Sequence, residues 1–273
     1  MGIFKILEYS FIQRAFLTGT FVAVLCSTLG LFLVLRRLSL IGDGLSHVSF
    51  GAIAVGLLLG FYPIYFSIPL VIFGALIILA LTQKAKVYGD AAIGIVSSFA
   101  LAGGVIIASI AGGFNVDLFS FLFGNILAIS EFEMISSVAL SLLVFVVIYL
   151  FYFELFSISF NEELARVSGI KTEKINTLLI VLTAISVVLS IRVVGVLLVS
   201  SFLILPAVTA LQIAKSFKKA IIFSWLSAIF SLVSGVLFSF VFNLPTGATV
   251  VMANFLLFVM ALVLAKNIAN KKP

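Results

Sequence analysis

Asp43 and His47 stand four residues apart in SLIGDGLSHVSFGA, residues 39–52, inside a long apolar run, and His47 is the chain's single histidine. On a helix that spacing puts both side chains on one face, about 6 Å apart along the axis. A carboxylate beside an imidazole suits zinc, manganese or iron(II); copper(I) favours thiolates and thioethers, and calcium and magnesium want more oxygen ligands. Two ligands are too few to hold an ion tightly. A second copy across a two-fold axis would supply two carboxylates and two imidazoles, which points to a homodimer with a central path. Two other readings stay open. The pair could satisfy each other inside a buried turn, or relay protons, since histidine titrates near neutral pH and a neighbouring acid tunes it.

The elements that carry this pair are membrane spans. The 273 residues are 63% hydrophobic and 10% charged, with 29 phenylalanines, which excludes an ordinary soluble domain. A bilayer core about 30 Å thick needs about 20 helical residues. The apolar runs fall near 15–35, 41–60, 64–82, 92–111, 134–153, 175–191, 193–213, 220–242 and 247–265, so the expected fold is an all-α polytopic membrane protein of eight or nine transmembrane helices in one domain, 1–273. An unbroken helix over 175–213 would be roughly 58 Å long, too much for one crossing, and Gly195 offers a turn there. No strict internal repeat is visible in the sequence.

Nine of the ten acids lie in loops or near span ends; Asp43 does not. If the helix continues from Arg37, Asp43 sits about 9 Å beyond that arginine, where a carboxylate needs a cavity or a partner. Asp43, Ser46, His47, Phe50 and Gly51 form one polar stripe that should face the bundle interior. Gly42, Gly44, Gly51 and Gly56 thin the helix for close packing.

The net charge of +6 is spread between the apolar runs, so it points to the membrane surface rather than to nucleic acid. All of the 16 lysines and arginines except Lys5, Arg14 and Arg192 fall on one side if residues 159–174 are cytoplasmic. The positive-inside rule then places the N-terminus outside and the C-terminus inside. Residues 1–14 read as an interfacial segment without a cleavage site, part of the mature chain. Outside, 112–133 is apolar enough for a half-helix. Inside, 159–171 reads as a short helix capped by Ser159 or Asn161, with Glu162 and Glu163 in its first turn and Gly169 as its stop. Cys26 lies in an apolar run and reads as packing.

Five stretches, LVLRRLSLIGDGLSH (33–47), FLFGNILAIS (121–130), ELARVSGI (163–170), GVLLVSSFLILPAVTAL (195–211) and PTGATVVMANFL (245–256), together resemble the ABC-type zinc/manganese/iron permeases, the membrane subunits of metal-ion importers. The resemblance implies a homodimeric permease in the cell membrane, two cytosolic ATP-binding subunits and an extracytoplasmic metal-binding protein that delivers the ion. It implies that Asp43 and His47 line the translocation path. By the same likeness ELARVSGI is the coupling helix, with Glu163, Leu164, Ala165 and Gly169 at the ATPase contact. The ion, zinc, manganese or iron, is cargo rather than a resident cofactor. Gly44, where relatives often carry alanine, should loosen the helix locally.

No G-x-x-x-x-G-K-[ST] phosphate loop occurs, so ATP hydrolysis would belong to a partner. One histidine and one intramembrane acid supply no nucleophile, base and orienting group, which speaks against an enzyme. The rival reading is a proton-coupled secondary metal carrier that uses the same Asp/His pair.

Overall fold

The computed structural model describes residues 10–110 and 129–269, and these are helical apart from short connections. In chain order the helices are α1 (Ser10–Leu35), α2 (Ile41–Leu58), α3 (Pro63–Gln83), α4 (Gly89–Ile110), α5 (Glu131–Leu150), α6 (Tyr152–Phe160), α7 (Glu162–Val167), α8 (Thr172–Val194), α9 (Val196–Ile213), α10 (Phe217–Phe242) and α11 (Thr246–Ala269). All but α6 and α7 are long and apolar enough to cross a membrane, giving nine spans among the described residues.

Helix ends depart from the apolar runs where polar residues cap them. Helix α5 begins three residues before its run because Ser130 and Glu133 form a capping box: the Glu133 N–H donates to Ser130 Oγ (3.2 Å) and the Ser130 N–H to Glu133 Oε2 (3.0 Å). Helix α1 begins at Ser10, so residues 10–14 of the expected interfacial segment are continuous with the helix of the first span, Ile12–Leu35. Ile12 is buried there, and Arg14 lies 3.7 Å from Glu131 of α5. The rest of the expected interfacial segment, and residues 112–128 of the expected half-helix over 112–133, lie outside the described residues, while 131–133 belong to α5. The break between α8 and α9 falls at Gly195, whose φ of 82° and ψ of 165° suit a residue without a Cβ.

Helices α1, α2, α8 and α9 form the buried centre, while α4, α5 and α11 turn most of their surface outward. Their packing repeats. Helix α2 packs on α3 and α4 as α9 packs on α10 and α11; α1 packs on α9 and α10 as α8 packs on α2 and α3. Four helices, α1–α4, therefore correspond to four others, α8–α11, although their sequences show no repeat. Between spans, polar side chains act as clamps. Trp225 Nε1 on α10 donates to Thr28 Oγ1 on α1 (2.7 Å), and buried Asn254 on α11 accepts from Ser231 of α10 (2.6 Å). In hydrocarbon such bonds add specificity at about 0.6 kcal/mol each.

Candidate functional site

The site begins with a corner. Helix α1 ends in a Schellman turn: Arg37 takes the left-handed conformation (φ 58°), its N–H donates to Val34 O (3.0 Å), and the Leu38 N–H donates to Leu33 O (2.9 Å). Helix α2 starts anew at Ile41. Asp43 therefore occupies the first turn of α2 instead of a point about 9 Å along a helix continued from Arg37. A carboxylate in that turn meets the positive end of the helix dipole.

His47 Nε2 lies 3.7 Å from Asp43 Oδ2, which confirms the shared face but is too long for a hydrogen bond. The two side chains stand at ion-pair distance without a hydrogen bond between them. Asp43 is 51% exposed and His47 37%, so in the single chain they reach its surface and not its interior. The expected inward stripe is split: Ser46, which donates to Gly42 O (2.8 Å), and Gly51 are packed, whereas Asp43 and His47 are open.

Helix geometry explains the split. Gly42 faces α9, where an added Cβ would lie 2.3 Å from Leu203 Cδ1. Gly44 and Gly51 face α4, where added Cβ atoms would lie 2.4 Å from Ile93 Cγ2 and from Ala100 O. At about 100° per residue, Asp43 and His47 point between those two directions, opposite the buried Leu45. The pair thus lies on the open side of α2 with α4 and α9 to either side, and this flanked strip is the trough. Gly44 lets α4 close against α2. Among the described residues no group of three or more His, Cys, Asp or Glu side chains comes together, so one chain brings two ligands to this trough.

The second candidate region is the short helix α7, narrower than the expected 159–171. Ser159 belongs to α6, and the cap is Asn161, whose Oδ1 accepts the Leu164 N–H (3.0 Å). Gly169 (φ 86°) ends the helix, with the Ile170 N–H donating to Ala165 O (3.1 Å). Glu163 and Gly169 are exposed, and Leu164 (64%) and Val167 (87%) present apolar surface outward. Ala165 is turned the other way, into the core, and anchors the helix instead of facing a partner.

A polar cluster beneath α7 was not singled out from the sequence. Arg36 Nη2 donates to Glu162 Oε2 (2.8 Å), Arg36 Nη1 donates to Asn176 Oδ1, and Asn176 Nδ2 donates to Glu162 Oε1 (2.9 Å). Asn176 is buried and the Arg36 side chain is only 13% exposed. Burial lowers the guanidinium pKa from its ordinary value, and the Glu162 charge opposes that shift. The available signal was an asparagine near the start of the 175–191 apolar run.

Comparison with known proteins gives a consistent result. Residues 8–265 match the family described as ABC 3 transport family. The chain is 32% identical over 260 residues to "Manganese transport system membrane protein MntC" of Listeria monocytogenes, spanning 95% of this chain and 92% of that one. It is 30% identical over 248 residues to "High-affinity zinc uptake system membrane protein ZnuB" of Haemophilus influenzae, spanning 91% and 95%. Among solved structures, "PsaBC from Streptococcus pneumoniae in complex with Fab" matches with a TM-score of 0.84 at 31% identity, over 95% of this chain and 93% of that one.

Proposed function

The chain belongs to the ABC 3 transport family as a multi-pass membrane permease, and from that membership we propose that it is the membrane subunit of an ATP-driven importer of a divalent transition-metal ion. Two copies would face each other across the trough that holds Asp43 and His47. The observation that carries this reading is a carboxylate and an imidazole exposed side by side on one helix face of an apolar chain. His47 lies in the second turn of its span, where an ionisable group needs a partner or an aqueous path. A second trough placed face to face supplies both, and doubles the ligand set to two carboxylates and two imidazoles.

Metal passage then needs alternating access. Under the charge-derived orientation α1 and α8 enter from opposite sides, so the two packing repeats are inverted, an arrangement that can rock around a fixed central site. Energy comes from cytosolic ATP-binding subunits docked on α7, and an extracytoplasmic metal-binding protein delivers the ion. The relatives named for manganese and zinc transport support a choice among these ions and iron for this chain, with the selection made partly by delivery. Reconstituted with its partners, the permease should take up metal in the presence of a protonophore and stop when the ATPase is inactivated. Uptake that followed the proton gradient instead would remove the importer reading.

Docking makes a separate prediction. Leu164 and Val167 are apolar side chains on a six-residue helix that faces the cytosol in this orientation. Leu164→Glu is expected to weaken capture of the ATP-binding subunits by about tenfold or more, the scale at which a central contact residue acts. Co-purification and melting of the permease alone measure the two sides of this claim: binding falls while the fold holds. Gly169 is a poor probe of docking, because any side chain at φ 86° strains the backbone.

A further inference from the structure

The ring formed by Arg36, Glu162 and Asn176 joins three parts of the chain that lie far apart in sequence. Glu162 opens α7, Asn176 sits in the second turn of α8, and Arg36 immediately follows α1. Each of the three donates to or accepts from both others, so the ring is closed. Arg166, one turn along α7, adds a weaker contact, with Nη2 3.8 Å from Glu162 Oε1.

The position of the ring matters more than its strength. Helix α7 packs on α6 and α8. Glu162 is the residue through which it also grips the end of α1. From Arg36 the path to the trough is short and stiff. The Schellman turn ties Arg37 and Leu38 back onto α1, and the Ile41 N–H donates to Leu38 O (3.1 Å), so the corner joins the first turn of α2. The start of α4 closes on the same corner: a Cβ at Gly89 would lie 3.1 Å from Leu38 Cδ2. Asp43 is in the first turn of that α2. A displacement of α7 applied at Glu162 therefore reaches, through Arg36, the corner from which both Asp43 and one wall of the trough are held.

We propose that the Arg36–Glu162–Asn176 ring is the strut that carries movement of α7 to the α1–α2 corner and so to the metal path, with Arg36 and Glu162 as its positioning residues. This rests on the reading of the chain as an ATP-driven importer. A purely structural ring would fix α7 in place and nothing more. A strut must also set how much metal moves for each ATP hydrolysed. Arginine suits the role because its planar fork holds two partners at once, which a lysine cannot reproduce.

The test uses the complete transporter in proteoliposomes, with its ATP-binding subunits and metal-binding protein, and manganese and zinc as probes. Metal taken up and ATP hydrolysed are measured together for wild type, Glu162→Gln and Arg36→Lys, alongside size-exclusion and melting profiles of each complex. Glu162→Gln keeps the shape of the side chain but removes the charge opposite the guanidinium; Arg36→Lys keeps the charge and removes the fork. The expected result is a metal-to-ATP ratio about tenfold lower in Glu162→Gln, within the two- to thirtyfold range of coupling changes at such links, and a smaller fall in Arg36→Lys, with ATP hydrolysis and subunit binding retained. A wild-type ratio in either assembled variant overturns the strut, as does loss of assembly in both, which would make the ring structural. A wild-type complex without ATP-dependent uptake overturns the importer reading and the strut with it, so the two failures are distinguishable.

Discussion

His47→Ala and Asp43→Asn are each expected to lower metal uptake by about a hundredfold or more while leaving the permease folded. The two halves of that expectation come from different magnitudes. Residues that merely orient a metal ligand cost 10–100-fold when removed, so losing one of two ligands per chain should cost at least the upper end of that range. In the fold, by contrast, the pair contributes little. An i,i+4 ion pair at 3.7 Å with both side chains over a third exposed is worth about 0.3–0.5 kcal/mol, before any discount for screening. A purely structural role would therefore leave uptake near wild type. Uptake assays with manganese, zinc and iron(II), paired with melting curves in detergent, read both quantities. A variant that melts normally and transports normally would show that the trough is not the metal path.

The spans were legible because hydropathy and length leave few choices for an apolar chain in a bilayer. The break at Gly195 followed from the same arithmetic, and the glycine that permits it sits where the chain turns. Helix ends were read less well, since Ser130 and Ser216 recruit polar residues just outside the apolar runs into the first turns of α5 and α10. The Asp43/His47 face was read correctly as one stripe, but not its direction. That depended on which neighbours Gly42, Gly44 and Gly51 admit, and contact between helices is not written in their own periodicity. Ala165 shows the same limit at α7: a six-residue helix has no period long enough to tell the buried side from the exposed side. The Arg36–Glu162–Asn176 ring was hidden for a different reason. Its members are 126 and 140 residues from Arg36, and in sequence Arg36 was one cytoplasmic charge among many.

Gly30→Ala is expected to be strongly destabilising. Helix α1 crosses α9 at Gly30, and a Cβ there would lie 2.0 Å from Leu203 O and 2.8 Å from the Leu203 carbonyl carbon. Those atoms are backbone, so no rotamer change relieves the overlap; two of the four most buried helices must separate. Overpacking a core costs about 1–3 kcal/mol even where side chains can give way, and the cost here should exceed that range. Gly94→Ala and Gly103→Ala provide the contrast. Both are helical positions on α4 with nothing within 4 Å of an added Cβ, so alanine should stabilise by about 0.5–1 kcal/mol through helix propensity. Thermal unfolding and the monodisperse fraction in detergent should place Gly30→Ala well below wild type and the two α4 variants at or above it. Equal stability for all three would refute the close crossing of α1 and α9. The effect reaches the trough directly, because the residue that blocks an alanine at Gly30 is the one that packs on Gly42 beside Asp43. Any folded fraction of Gly30→Ala should therefore transport poorly as well, its α9 wall displaced from the site.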